Sequence, residues 1–266
     1  MRERRAGSSR IFCFPHGKLR LNFRRMTTRF RLLRVLFPTA LLASSAVAAD
    51  TRGDSQPNQL TSAERQAGWK LLFDGQTTAG WRNFKKPAIV NTNGWVVEDG
   101  WLKKAANARG GDIITVDQFT DFEFQWEWRL ARRANNGVKY FITEARGEAV
   151  GHEYQMIDDA LVKNRKGLTA SFYDVLPPRE HAPLKFAPEI NHSRILVQGN
   201  HVEHWLNGEQ VLEYELGSTE VLAAVAKSKF RSVKDFGTKI KGHILLTDHK
   251  DEAFFRNLKI RELRPK

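Results

Sequence analysis

Phe122-Glu123-Phe124-Gln125-Trp126-Glu127-Trp128-Arg129-Leu130 alternates apolar and polar residues without a slip. Side chains on a strand point to the two faces in turn. Phe122, Phe124, Trp126, Trp128 and Leu130 therefore share one face, and Glu123, Gln125, Glu127 and Arg129 share the other. A helix would scatter this pattern around its axis. One apolar face and one polar face mark an antiparallel sheet packed on one side only.

Working outward, the same signature recurs. Trp95-Val96-Val97-Glu98 meets Asp99-Gly100 and returns as Trp101-Leu102-Lys103, a hairpin signal. Further strands are predicted over residues 69–73, 138–143, 168–175, 193–198, 201–206, 210–216, 243–247 and 253–262, and around Glu153. Asn135-Asn136-Gly137 reads as the turn before the strand at 138. Thr61-Ser62-Ala63-Glu64 is a capping box that opens a short helix, and residues 221–226 suggest a second. Many short strands, glycine-containing turns and one or two short helices describe an all-β fold. The expectation is a sandwich of two antiparallel sheets, a jelly roll with one concave face.

The formal charge of +13 invites a nucleic-acid reading, but its distribution removes the support. Of 43 Lys and Arg and 30 Asp and Glu, residues 1–49 hold eleven and one. From Asp50 onward 32 face 29, a net charge of +3. Arg29, Arg31 and Arg34 precede an apolar run over 35–43 and then Ser44-Ser45-Ala46-Val47-Ala48-Ala49, the order of a cleaved export signal. The run is short for a bilayer span, so no membrane anchor is expected after cleavage. Met26 would begin a signal of ordinary length. Cys13, the only cysteine, lies in this leader, which leaves the mature chain without a disulfide or thiolate metal site. The expected division is a leader over 1–49, a flexible lead-in over 50–60 and a single sandwich domain over 61–266, periplasmic or secreted. Neither nucleic acid nor membrane is an expected partner.

Gly151-His152-Glu153-Tyr154-Gln155-Met156-Ile157-Asp158-Asp159 holds the first candidate site. Glu153 and Gln155 share a strand face, and a β-bulge would swing Asp158 onto it. Two neighbouring carboxyls push their pKa values apart, as acid–base chemistry requires; the bland reading is a solvated outer face. Thr247-Asp248-His249-Lys250 closes a late strand, and His249 is either an acid, base or metal ligand or a strand-end histidine in water. Glu127 either faces the same way as Glu153 or belongs to the wet side of its own strand. Asn136 is chiefly a turn residue whose amide could meet a sugar hydroxyl. Lys229 reads as solvated charge or as a ligand-facing lysine. No nucleophile elbow, phosphate loop or dinucleotide fingerprint occurs.

In order along the chain come Phe73-Asp74-Gly75, Gly80-Trp81, Asp121-Phe122-Glu123-Phe124, Asn135-Asn136-Gly137, the Glu153 segment and Tyr173-Asp174-Val175-Leu176-Pro177-Pro178. Trp205-Leu206-Asn207-Gly208, Ser228-Lys229-Phe230 and Phe255-Arg256-Asn257-Leu258-Lys259-Ile260 follow. With them the chain resembles the 3-keto-disaccharide hydrolase family, also described as 3-keto-glucoside 1,2-lyase/2-hydroxy-glucal hydratase domains, over nearly all of residues 66–263. The resemblance implies a concanavalin A-like jelly roll, export, and an oxidised sugar (a 3-keto-glycoside) as substrate. Two departures stand out: the family has Gln-Asp-His-Gly where this chain has Thr247-Asp248-His249-Lys250, and Asn-Ser-Gly at Asn135-Asn136-Gly137.

The implied chemistry has a physical basis. A ketone at C3 acidifies the C2 proton; a base removes it, the enolate expels the aglycone oxygen from C1, and water adds back to the glucal. The expected catalytic pair is Glu153 and His249, as base and acid in an order left open. Gln155, Asp158, Glu127, Asn136, Tyr173, Lys229 and Asp248 are the expected sugar-binding residues. A divalent cation held by Asp, Glu and His is an alternative electrophile. Two rivals remain: a laminarinase-like retaining glycosidase, disfavoured by Gln155 and the short Asp158, and a non-catalytic carbohydrate-binding sandwich.

Overall fold

The computed structural model describes residues 56–264 of the chain, so the leader and Cys13 lie outside the described residues. Its strands, in order, are β1 (Lys70–Leu71), β2 (Trp81–Asn83), β3 (Trp95–Glu98), β4 (Trp101–Lys104), β5 (Ile113–Thr115), β6 (Phe122–Leu130) and β7 (Asn135–Ile142). The series continues with β8 (His152–Ile157), β9 (Asn191–Gln198), β10 (His201–Leu206), β11 (Glu209–Glu215), β12 (His243–Leu246) and β13 (Ala253–Glu262). Two short helices, α1 (Ser62–Gln66) and α2 (Thr219–Ala226), complete it. The larger sheet runs β11-β10-β9-β6-β13-β4-β3, with β1 on β13; the smaller runs β2-β5-β12-β7-β8. All recorded pairings are antiparallel, giving the expected jelly-roll sandwich.

The alternation of β6 explains how the sheets meet. Phe122, Phe124, Trp126, Trp128 and Leu130 are all buried, in one cluster with Tyr154 and Met156 of β8 and Ile244 and Leu246 of β12. Trp126 meets Tyr154 edge to face, with ring centroids 4.9 Å apart, across the gap between the sheets. Such a ring fills a volume that nothing else can occupy, so Trp126→Ala would cost about 3–5 kcal/mol. The outer faces of the two sheets therefore point away from each other. That single fact decides which polar residues can share a site.

Turn chemistry is realised where backbone and sequence agree. Asp99 and Gly100 both have positive φ in the β3–β4 hairpin, as a two-residue turn with matching twist demands. Thr61 and Glu64 form the reciprocal capping box of α1. From Asn58 onward the expected flexible lead-in is tied down, because Asn58 and Asn257 exchange backbone-to-side-chain hydrogen bonds.

Three local expectations are corrected. Asn135-Asn136-Gly137 is not a turn but the start of β7. Residues 168–175 do not form a strand; Ala170 and Asp174 take positive φ, and the segment lies along the edge of β8 through isolated hydrogen bonds. The short strands β2 and β5, each three residues long, gave no periodic signal.

Candidate functional site

β8 pairs with β7 in unbroken register, with Glu153 opposite Lys139 and Gln155 opposite Gly137. Because Tyr154 and Met156 enter the core, Glu153 and Gln155 occupy the outer face of the smaller sheet. They are nevertheless only 5% and 3% exposed. Gly137 makes this burial feasible: a Cβ there would lie 2.4 Å from Glu153 Oε1. The glycine is thus a recess for a carboxylate rather than a hinge of a turn.

No hydrogen bond among the described residues engages that carboxylate; its interactions are through space. Burial pushes the Glu153 carboxyl above the ordinary carboxylate range. Lys139, His249 and Lys229 pull the other way, and the negative charge of Asp112 adds to the rise. Gln155 Oε1 is buried without a hydrogen-bond partner among the described residues. A buried acid with raised proton affinity beside an unpaired amide oxygen is costly to the fold and is the arrangement expected of a site.

Two loops bring further groups to this patch. The Tyr173 N–H donates to the Glu153 carbonyl at 3.0 Å, and the Lys229 ammonium lies 4.2 Å from the centre of the Tyr173 ring. Asp174 accepts the Lys229 backbone N–H at 2.7 Å, which fixes one loop to the other. Tyr173 and Lys229 thus lie near Glu153.

His249 is exposed, and the residue before it is anchored on every side. The Asp248 carboxylate accepts N–H bonds from Gly110, Gly111 and Lys250, and pairs with the wholly buried Lys104 at 3.0 Å. The Asp248 N–H donates to Asp112 Oδ1 at 2.8 Å. Burial opposes ionisation of Asp248, but these hydrogen bonds and the Lys104 ammonium hold its carboxyl below its usual range. The Asp248 carboxylate is therefore fully engaged within the protein, one residue before His249.

Three expected site residues lie elsewhere. Asp158 follows the end of β8 with no bulge between them, and its carboxylate accepts the N–H groups of Arg133 and Ala160 as the cap of a short 3-10 turn. Glu127 lies on the outer face of the larger sheet, on the far side of the sandwich, paired with Arg256 at 2.7 Å and His192 at 3.3 Å. Asn136 is fully buried: its Nδ2 donates to the Thr247 carbonyl, and its Oδ1 accepts the Thr247 hydroxyl. Asn136 and Thr247 are two of the positions where the chain departs from its family pattern, and they contact each other.

The sequence reading passed over Lys139, Gly137 and Asp112. Lys139 could have been found by extending the face of Glu153 across a paired strand, had the register been known. As for a metal, among the described residues no three His, Cys, Asp or Glu side chains gather closely enough to hold one. Positive charge does reach Glu153, from the Lys139 and Lys229 ammonium groups.

Comparison with known proteins agrees with this fold. A profile described as a 3-keto-alpha-glucoside-1,2-lyase-like domain matches residues 68–261. A Bacteroides thetaiotaomicron protein named 3-keto-disaccharide hydrolase is 29% identical over an alignment of 231 positions that covers 74% of this chain and 79% of that protein. A solved candidate glycosyl hydrolase from Parabacteroides distasonis is 30% identical with a TM-score of 0.71, over 79% of this chain and 100% of its own. A second structure from that organism, 24% identical with a TM-score of 0.60, covers 73% of this chain and 99% of its own and bears on the fold alone.

Proposed function

Because the chain belongs to the 3-keto-alpha-glucoside-1,2-lyase-like family, we propose that it cleaves 3-keto-glycosides by elimination and rehydration. Its coarse activity, that of a hydrolase acting on carbohydrate, follows from that membership and from its relatives. The finer steps rest on the Glu153 site.

Glu153 is the base. The C3 ketone makes the C2–H bond acidic, and the Glu153 carboxylate takes that proton while the bonding pair moves into a C2–C3 enolate. Burial favours this role, since it raises the proton affinity of the carboxylate toward the pH at which it works. Lys139, directly across from Glu153, supplies positive charge for the developing enolate oxygen. As the ketone re-forms, the C1–O bond breaks, and His249 donates a proton to the departing aglycone oxygen. Water then adds to C1 of the glucal and a proton returns to C2, so the sum is hydrolysis. Gln155, Tyr173 and Lys229 hold the sugar.

The observation that carries this reading is a buried carboxylate without hydrogen-bonded partners among the described residues, facing a lysine on an outer sheet face. A retaining glycosidase needs a second carboxyl about 5–5.5 Å away, and Asp158, the expected second acid, is engaged as a cap. The proposal includes a periplasmic or secreted location, on the strength of the signal order in residues 29–49. Replacing Glu153 with Gln tests the assignment. Cleavage of a 3-keto-glycoside should nearly vanish while circular dichroism and melting show an intact fold; retained turnover would overturn it.

A further inference from the structure

A cleft of about 410 Å³ opens beside β2, at the edge of the smaller sheet opposite β8. Its Phe84 and Ala149 pack against the cluster of Ile114, Ile142 and Leu245. Leu245 pairs with Lys139, which pairs with Glu153, so the cleft and Glu153 share a face. Phe84 and Ala149 give it an apolar lining, and Asn91 and the exposed Arg109 line it as well. The size is that of a small-molecule site. Its wall is held rigidly. Asp248 fixes the N–H groups of Gly110 and Gly111, Asn83 Nδ2 donates to the Gly110 carbonyl at 2.8 Å, and Trp95 Nε1 donates to the Gly111 carbonyl at 2.7 Å. Gly94 admits the wall, because a Cβ there would meet Gly110 Cα at 2.1 Å.

Two of the lining residues connect the cleft to Glu153. Asp112 lines it and acts electrostatically on the Glu153 carboxyl. Ala149 lines it and its carbonyl accepts the Lys139 ammonium at 3.4 Å. Between β5, which Asp112 precedes, and β8 lie three strand spacings, roughly 14 Å of sheet. A sugar seated over Glu153 would therefore reach the cleft only through a second ring on its C1 oxygen. The same Asp248 that precedes His249 builds the cleft wall, so the proton donor to the leaving oxygen and the leaving-group pocket share one anchor.

From this continuity we infer that the cleft is the leaving-group subsite and that it takes a hexopyranose. Phe84 presents an apolar surface to one face of the ring, and Arg109 and Asn91 donate to its hydroxyls. The inference rests on the proposed reaction at Glu153, and two substrates separate the two claims. Methyl 3-keto-glucoside probes the reaction without filling the cleft, and a 3-keto-disaccharide probes both.

Arg109 is exposed, so truncating its side chain is expected to leave the fold intact. Arg109→Ala should lower kcat/KM for the disaccharide about tenfold, the effect of one hydrogen bond to a charged group, and leave the methyl glycoside unchanged. Val90→Trp, at a position 65% exposed on the cleft rim, should act in the same selective way by filling the space. Equal losses on both substrates, or none on either, would overturn the subsite. Titration of the wild-type protein with glucose, followed by amide NMR, reads the subsite without turnover. Shifts confined to residues 84–91 and 109–112 are expected, and their absence overturns the subsite even where cleavage stands. Glucose shifts there in a protein that cleaves neither substrate would overturn the reaction and keep the subsite.

Discussion

Glu123-Phe124-Gln125 on β6 and Glu153-Tyr154-Gln155 on β8 are near-copies in sequence, yet they end on opposite outer faces of the sandwich with opposite fates. Glu123 lies 2.8 Å from Arg194 Nε, accepts a 2.8 Å hydrogen bond from Arg261 Nε, and receives Gln125 Nε2 at 3.0 Å. Among the described residues Glu153 has no arginine partner and no hydrogen bond to its carboxylate, and the Gln155 oxygen on the same strand face is unpaired. Both carboxylates are almost equally hidden, at 4% and 5% exposure. Burial alone therefore does not distinguish a structural acid from a reactive one; the partners do. A paired acid holds strands together, whereas an unpaired one keeps its proton affinity high at the expense of the fold.

The largest expected effect breaks the comparison by exchanging roles. Glu153→Gln should lower kcat/KM on a 3-keto-glycoside by about 10²–10⁴-fold, the usual contribution of a general base. Glu123→Gln should leave kcat/KM unchanged and cost about 2 kcal/mol of stability in urea melts. That figure is below the range for a fully buried pair because Arg194 and Arg261 remain 28% and 35% exposed.

Gly137→Ala sharpens the same contrast. Its Cβ would press on Glu153 Oε1 and move the carboxylate out of line, and a misplacement of about 1 Å is enough to cost 10²-fold in kcat. A comparable glycine recess does not protect Glu123, so the substitution reports on the reactive acid alone.

The pH dependence of stability reports on Glu153. The folded pKa of Glu153 is raised, so the folded state holds this proton more tightly than the unfolded chain does. Stability from this group is full below the unfolded pKa of about 4.3 and declines as pH rises through the folded pKa. Glu153→Gln should therefore gain stability relative to wild type across that window, and thermal melts between acid and neutral pH would show it. A gain that shrinks with rising pH would contradict the raised pKa.

Much of this contrast was hidden in the sequence for definite reasons. Alternation on β6, the Asp99-Gly100 hairpin and the capping box at Thr61 are local signals, and each was legible. Strand parity places Glu127 on a polar face but does not say which sheet owns that face, so Glu127 joined the wrong site. Asn135-Asn136-Gly137 carries turn chemistry, yet Gly137 is needed for the space it leaves beside Glu153. Asp158 lay one bulge away from the site, and only the register with β7 shows that no bulge forms. Lys139 is invisible as a partner of Glu153 until the two strands are paired.

The departures from the family pattern give the smaller predictions. Asn136 and Thr247 satisfy each other in a fully buried contact. Restoring Ser or Gln singly should cost about 1–3 kcal/mol each, by stranding a buried polar group. The double variant should recover part of that loss, a coupling a double-mutant cycle would measure. Lys250 sits at a φ of 68°, in the left-handed region that favours the family's glycine, with its side chain exposed. Lys250→Gly should stabilise the protein by up to about 1 kcal/mol and leave turnover unchanged.

The proposed reaction turns on a proton leaving C2, and that event can be read directly. Wild-type enzyme should be given a 3-keto-glycoside in D₂O, with 3-keto-glucose alone as a matched control for spontaneous exchange. Elimination and rehydration predict one deuterium at C2 of the released 3-keto-glucose in excess of the control, and no product at all from Glu153→Gln. Released sugar that keeps its original C2 hydrogen would mean direct displacement at C1, and would contradict the role given to Glu153.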